Sequence, residues 1–276
     1  MRGLSSPSYS LNAGIDLSKR RLYFGNLDYH NPDQELGSDF HFVSVQTMIR
    51  AIDKLIDMST TQAIELHFMS YGGDPFEMLA LLDKILESPV KFKFFGRGTI
   101  CSAAIWILVV CDERYLAKNT NVMLHNGKDF FQGNNTDMEI YVEENLRLQT
   151  KLNEILVKNS YMPRSFWDMI LRRDLNLTPE ECLKLGLIDG IIKYKGRATL
   201  RKSIRNKTFK AIPAKDKMKT FLRELSKRVK MDFPKTLDLH LPEDKHEELE
   251  KYDNTEKELQ NSGLEIPKLI VKENKE

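Results

Sequence analysis

Apolar positions recur along this chain in two alternating rhythms. After a polar leader, residues 21–24 (RLYF) and Gly25 form a short strand and turn. Residues 29–39 are polar, contain Asn31-Pro32 and Gly37, and read as a loop. Residues 43–59 place Val45, Met48, Ile49, Ile52, Leu55 and Ile56 at helical spacing. Residues 63–69 alternate as a strand that ends at Ser70-Tyr71-Gly72-Gly73-Asp74, and residues 75–88 return to the helical period. Residues 90–95 are strand-like. A Gly-rich link, Gly96-Arg97-Gly98, then leads into the apolar run 100–111. Residues 114–117 and 121–125 predict two more short strands. Residues 136–160 predict a long helix opened by a capping box of Thr136 with Glu139. Shorter helices follow at 165–173 and 179–185, with Gly186 as a stop. Strand followed by helix, repeated, predicts the α/β class.

Composition narrows this picture. With 276 residues, 41% hydrophobic, including 14 Phe and 9 Tyr, the chain can build a core, which excludes disorder throughout. The run 100–111 is 12 residues long and contains Ser102, too short to span a bilayer, and the first residues lack the apolar stretch of a signal peptide. Cys101, Cys111 and Cys182 form neither a disulfide framework nor a metal-ligand pattern. The expectation is a soluble, cytoplasmic protein that needs no metal or cofactor. Charge divides the chain further. Residues 1–196 carry 22 Lys/Arg against 25 Asp/Glu, residues 197–230 carry 13 against 2, and residues 231–276 carry 7 against 13. This predicts a leader (1–20), a balanced domain (21–196) and a charged extension (197–276), basic to residue 230 and acidic beyond it.

A serine inside an apolar run, taken alone, is a small core residue. Ser102, however, follows a Gly-rich link and stands where a helix begins, near unpaired N–H groups. Twenty-nine residues upstream a strand ends at Gly72-Gly73, where missing side chains let backbone donors approach a substrate oxygen. A nucleophile beside backbone donors is what acyl transfer needs, because the tetrahedral oxyanion must be stabilised as it forms. His125 closes a short strand, and Asp174 follows Arg173 just before Leu177-Thr178-Pro179. Each has an ordinary structural role open to it. Their order, Ser, His, Asp, differs from the hydrolase, chymotrypsin-like and subtilisin-like orders, and no G-x-S-x-G elbow surrounds Ser102.

Over about residues 21–192 the chain resembles ClpP, the proteolytic subunit of the Clp protease. The resemblance rests on Ser70-Tyr71-Gly72-Gly73, on Gly98-Thr99-Ile100-Cys101 leading to Ser102, and on Asn121-Val122-Met123-Leu124-His125. It continues through Phe131-Gln132-Gly133, Thr136-Asp137, Arg173-Asp174, Leu177-Thr178, Glu181-Cys182 and Gly186-Leu187-Ile188-Asp189, all in order. It implies a ClpP/crotonase-type spiral of strand-strand-helix units, followed by a largely helical charged extension. It also implies a triad of Ser102, His125 and Asp174, with oxyanion donors from the backbone of Gly73 and Ala103. Phe130, Phe131, Gln132 and Gly133 would belong to a strand that binds polypeptide substrate by β-addition. The long helix would join two homo-oligomeric rings, with Arg173 as a ring contact. Since no G-x-x-x-x-G-K-[ST] occurs, any Clp-family AAA+ ATPase partner is a separate chain.

The departures from that family are specific. Tyr71 stands for Pro, Asp74 for a small residue, Ala103 for Met, and Asn126-Gly127 for Gln-Pro. In the extension, Met218, Phe221, Leu222, Leu225 and Val229 recur at helical spacing. Such a helix packs on its own protein, or docks on an acidic partner or membrane surface; no aromatic interleaving favours nucleic acid. Residues 243–260 are expected to be an acidic helix, and the apolar cluster 266–271 a docking segment. The leading expectation is an endopeptidase acting on unfolded polypeptides delivered by an ATPase. The alternatives are a viral head-maturation protease that cleaves scaffold, and a non-catalytic structural ring subunit.

Overall fold

The computed structural model describes residues 14–25, 39–127, 131–192, 215–233, 236–239 and 268–271. In chain order these form β1 (Ile15–Asp16), β2 (Arg21–Phe24), β3 (Asp39–Phe40), α1 (Phe42–Met58), β4 (Ile64–Ser70), β5 (Gly72–Gly73), α2 (Pro75–Leu86), β6 (Phe92–Cys101), α3 (Ala104–Val110), β7 (Glu113–Ala117) and β8 (Asn121–Leu124). There follow α4 (Asn135–Lys158), α5 (Arg164–Ile170), β9 (Leu175–Leu177), α6 (Pro179–Leu185), β10 (Gly190–Ile192), α7 (Lys215–Val229), β11 (Thr236–Leu239) and β12 (Lys268–Val271). The α/β class expected from the sequence is what the chain adopts. The described residues fall into two compact units. The first lies within Met1–His125, Asn176–Leu183 and Leu187–Lys210, and the second within Asn126–Leu175, Lys184–Gly186 and Ala211–Glu276.

An eight-stranded sheet, ordered β1-β2-β4-β6-β7-β10 with β8 on β6 and β9 on β8, organises the first unit. Apart from the antiparallel β1–β2 pair, the registered ladders of this sheet are parallel. Strand β6 is the axis. It lies along β4 from Phe92 to Ile100, takes β7 over Lys93–Gly96, and takes β8 over Thr99–Cys101. The Gly96-Arg97-Gly98 stretch, expected as a link, is therefore interior to this ten-residue strand. Two features let the strand continue: Gly98 takes a left-handed φ of 67°, and the β4–β6 register shifts between Phe68 and Ser70.

The core is built from one row of the central strands and one stripe of α1 and α2. Ile64, Leu66 and Phe68 of β4, Phe92 and Phe94 of β6, and Val45, Ile52, Leu55, Met78, Leu81 and Ile85 of α1 and α2 are all buried. Each such side chain contributes about 1.5–3 kcal/mol by leaving water. Ala104 to Val109 of α3 are buried all round, which explains a run with no amphipathic period. Among the described residues no helix is long and apolar enough to cross a membrane.

The leader is not uniformly outside the fold. Residues 15–16 add an edge strand to β2, and Arg20 is buried at a left-handed φ of 53°. Its guanidinium donates to the carbonyls of Leu55 (2.6 Å), Gln62 (2.9 Å), Ser59 (3.2 Å) and Ala63 (3.3 Å). A cation thus sits on the carbonyls at the end of α1 and in the turn that follows it, where the helix dipole favours positive charge.

In the second unit, α4 and α5 are tied by a polar network around Asn153, which is 2% exposed. Asn153 donates to Asp168 (2.6 Å) and accepts from Gln149 (2.7 Å), while Arg164 donates to both oxygens of Asp168. The cap of α4 differs from the expected Thr136–Glu139 box. Asn134 accepts from Asp137 N–H at 3.0 Å, because an Asn three residues ahead of Asp137 reaches the first unpaired donors two positions earlier. On α7 the expected apolar positions Met218, Phe221, Leu222 and Leu225 are buried within the chain itself, with Lys184 Nζ 4.9 Å from the centre of the Phe221 ring. Residues 268–271 of the expected docking cluster pair in parallel with β11. The expected acidic helix over 243–260 lies outside the described residues.

The part-exposed face of the sheet carries an aromatic ladder across four strands: Tyr23, His67, Phe95 and Tyr115, with ring centres 4.9, 5.1 and 5.5 Å apart. His67 is held at both nitrogens, Nε2 against Glu65 at 3.1 Å and Nδ1 against Arg97 at 3.2 Å. Arg97 can only donate, so Nδ1 accepts and the proton of the neutral ring sits on Nε2. Burial, with Arg97 and Arg21 nearby, holds the ring's pKa below its usual 6.5, although Glu65 opposes this. Glu65 is itself held below the usual carboxylate range: burial alone would raise it, but hydrogen bonds from His67 and Arg21 outweigh that. Because the folded ring resists protonation, its neutral form favours folding above pH 6.5, and that contribution is lost as pH falls through the lowered value. Thermal unfolding measured against pH should therefore show a fall in Tm below pH 6.5 that flattens in the variant His67→Phe. Parallel curves for the two proteins would contradict this assignment.

Candidate active site

Three parallel strands, β4, β6 and β8, deliver their carboxyl ends to one region, the place where open parallel sheets present functional groups. Strand β6 ends at Cys101, and α3 begins at Ala104. Between them Ser102 adopts a left-handed φ of 50°. A serine in that conformation costs about 1–3 kcal/mol and persists only where its surroundings fix it. Here the Ser102 N–H donates to Met123 O at 2.8 Å, tying the turn to β8, and Ser102 O accepts from Ile105 N–H at 2.9 Å, starting α3. The side chain is left half-buried on a sharp strand-to-helix turn.

His125 follows the last residue of β8, and its Nε2 lies 2.9 Å from Ser102 Oγ. That is a hydrogen bond of ordinary length between a hydroxyl and an imidazole. The β6–β8 ladder sets it, since pairing of Cys101 with Met123 places the residue after each strand side by side.

The glycines upstream complete the local geometry. Gly72 and Gly73 have φ values of 111° and 136°, open to glycine and rarely adopted by other residues. A Cβ on Gly72 would stand 2.6 Å from Ser102 Cβ and 3.1 Å from Ala103 N, so the bare backbone of Gly72 abuts the serine. A Cβ on Gly73 would stand 2.4 Å from Phe40 N, because β3 and β5 pair in parallel at that point. Ser70, fully buried, braces the turn by accepting from Gly72 N–H at 3.1 Å. Asp74 caps α2 by accepting from Phe76 and Glu77 N–H at 2.7 and 3.1 Å. The sequence pattern marks Ser70 and the Gly72-Gly73 pair as a turn, but not Phe40, the brace from Ser70 or the contact of Gly72 with Ser102. The signal for Phe40 was slight, a single aromatic at the end of a polar loop.

Asp174 and Arg173 stand just before β9, in the second unit, and both are exposed. Of the expected substrate segment, Phe130 lies outside the described residues, and 131–134 carry no strand. Phe131 stacks on Tyr141 with ring centres 4.5 Å apart, and Gln132 and Gly133 are exposed. All three cysteines are free and buried, and burial raises their thiol pKa values, so none is poised as a nucleophile. Among the described residues no cluster of His, Cys, Asp and Glu could hold a metal ion.

Comparison with known proteins agrees with this arrangement at the level of family. Residues 37–195 match the Clp protease family. A curated relative, the ATP-dependent Clp protease proteolytic subunit of Deinococcus radiodurans, is 29% identical over 133 residues. Those residues are 48% of this chain and 65% of the relative, so the chain spans just under two thirds of that protein's length. The matched region contains strands β3 to β10, the strand-to-helix turn at Ser102 and the strand that leads to His125, and it exceeds half of the sequence: this chain belongs to the Clp protease family.

Proposed function

We propose that this protein is a serine endopeptidase that cleaves polypeptides through Ser102, His125 and Asp174. The observation that carries the proposal is the 2.9 Å bond between Ser102 Oγ and His125 Nε2, formed by a serine in a left-handed turn beside a bare glycine backbone. In this reading His125 takes the hydroxyl proton as Ser102 Oγ attacks the scissile carbonyl. The oxyanion enters a hole formed by the N–H groups of Gly73 and Ala103. His125 returns the proton to the leaving amine, and a water molecule repeats the sequence on the acyl-enzyme. Asp174 fixes the imidazole tautomer and stabilises the imidazolium. Ala103 keeps its backbone donor whatever its side chain, so the departure from Met there alters only the wall beside the nucleophile.

The proposal extends to assembly and partners. The protease domain spans 21–196 and the charged extension 197–276. Phe130 to Gly133 binds the substrate strand, and Arg173 and α4 contact other copies in a ring. Exposed Met138, Val142 and Leu146, spaced four apart on α4, support a helix that meets a partner surface. A separate Clp-family AAA+ ATPase delivers unfolded substrate. The presence of a serine and histidine in hydrogen-bonding position favours this reading over a purely structural ring subunit.

A fluorophosphonate should label Ser102 alone, and Ser102→Ala should lower peptide hydrolysis on the order of 10⁴ to 10⁶-fold. Asp174→Asn should leave labelling detectable while turnover falls about 10⁴-fold. Labelling at another residue, or full activity in Ser102→Ala, would refute the assignment. Gly72→Ala forces either the turn or Ser102 to move. It should lower Tm and abolish labelling while circular dichroism stays that of a folded chain; undiminished labelling would show that the close approach at Gly72 is irrelevant to reactivity. If α4 joins copies, native mass should be a multiple of 32.1 kDa, and Val142→Glu with Leu146→Glu should reduce it. A fully active monomer would rule out the ring.

A further inference from the structure

The residue after His125 is chemically unusual. Asn126-Gly127 is the only Asn-Gly pair in the sequence. An asparagine followed by glycine is prone to cyclise, because the next backbone nitrogen can attack the side-chain amide carbon with no Cβ in the way. Most asparagines in folded chains are protected by a held side chain or by regular backbone structure. Several described asparagines here are protected in this manner. Asn134, Asn145, Asn153 and Asn159 all spend their side-chain amides on hydrogen bonds. The Asp189-Gly190 pair, which could form the same ring, is locked on both sides. Asp189 accepts from Arg114 N, Nε and Nη2 at 2.9, 3.2 and 3.0 Å, and Gly190 is in β10.

Asn126 has none of these protections. Its Oδ1 is shielded from solvent but accepts no hydrogen bond, so that oxygen does not anchor the amide. Gly127 lies outside helix and strand and is exposed, and a Cβ there would meet nothing within 4 Å. The Asn126 N–H is tied to Leu171 O at 2.9 Å, which fixes the start of the residue but not the dihedral that ring closure turns. We propose that Asn126-Gly127 is a site of spontaneous deamidation that ages the adjacent base, His125. The second half of this proposal rests on the serine-peptidase reading.

The chemistry is complete with water alone. Gly127 N forms a bond to Asn126 Cγ as the Cγ–Nδ2 bond breaks, and the Gly127 amide proton leaves with Nδ2 as ammonia. Water then opens the imide at one of its two carbonyls. One opening gives aspartate. The other gives isoaspartate, in which the main chain runs through the former side chain and gains a methylene. Both put a carboxylate on the residue next to His125, which favours imidazolium and so removes the neutral base that Ser102 requires. The isoaspartate also lengthens the chain just past the histidine, where misplacement of the base is costly.

The test uses the full chain, aged in mildly alkaline buffer and sampled over time. Peptide mapping should find a gain of about one dalton at Asn126, with labelling by isoaspartyl methyltransferase at the same peptide. Gly127→Ala should slow this at least about ten-fold, and Asn126→Gln should slow it likewise. Fluorophosphonate labelling of Ser102 should decline with the modification in the wild-type chain and hold in both variants. An Asn126 that stays intact while an unfolded peptide of the same sequence is converted would overturn the site. Conversion of Asn126 with labelling unchanged would overturn its link to His125. Fresh protein that never labels, yet converts at Asn126, would refute the serine-peptidase reading and leave the modification site standing.

Discussion

Strand β6 is the constraint on which the arrangement depends. Its first half is claimed on both edges by β4 and β7, and its second half by β4 and β8. A strand with the same neighbours throughout would end flush with them. By exchanging β7 for β8 midway, β6 carries Ser102 past the first set of strands and meets the chain end that bears His125. The left-handed turn at Ser102, the close approach of Gly72 and the bond between Ser102 and His125 all follow from where this one ladder stops. Gly96 marks the exchange. It pairs with Phe68 on one side and Leu116 on the other, and a Cβ there would stand 2.4 Å from the Leu116 side chain.

Against that frame, the legible and illegible parts of the sequence separate on physical grounds. Helices α1 and α2 are readable because one face of each is buried and the period is 3.6. Strand β6 was cut short because its glycines carry the usual mark of a turn, while the ladder bonds that override it come from strands remote in sequence. The pairing of Phe40 and the brace from Ser70 are hidden for the same reason: such roles are pairings, and pairings leave little local pattern. Around the site, Ser102 and His125 could be marked by residue type and by family resemblance. The contact that joins them is a property of register, which the sequence encodes only collectively. The extension was the least legible part. Its basic composition is plain, yet the side of α7 that matters to packing is the apolar one, folded against its own chain.

The polar contacts of the molecule also sort by purpose. Arg20 and the Asn153 network satisfy buried groups that would otherwise cost stability, and they lie away from Ser102 in the sequence and in their contacts. The His67 ladder sits on the opposite face of the sheet from the buried row and combines stacked rings with two ion-bearing neighbours. Such a surface is neither a simple apolar patch nor a plain charged one.

The pairing of β7 with β10 has a bearing on when the molecule can be finished. Arg114 and Asp189 are 75 residues apart, and their fork of hydrogen bonds fastens the far edge of the sheet. Parallel strands cannot form by local hairpins, so each ladder waits for its second member to be synthesised. The strand that bears Ser102 and the one that leads to His125 leave the ribosome well before Asp189 does. Until that aspartate arrives, Arg114 and the β7 edge stay open to solvent and to other chains. Ser102 and His125 can therefore meet before the β7 edge of their sheet is paired, and chain growth itself decides how long that interval lasts.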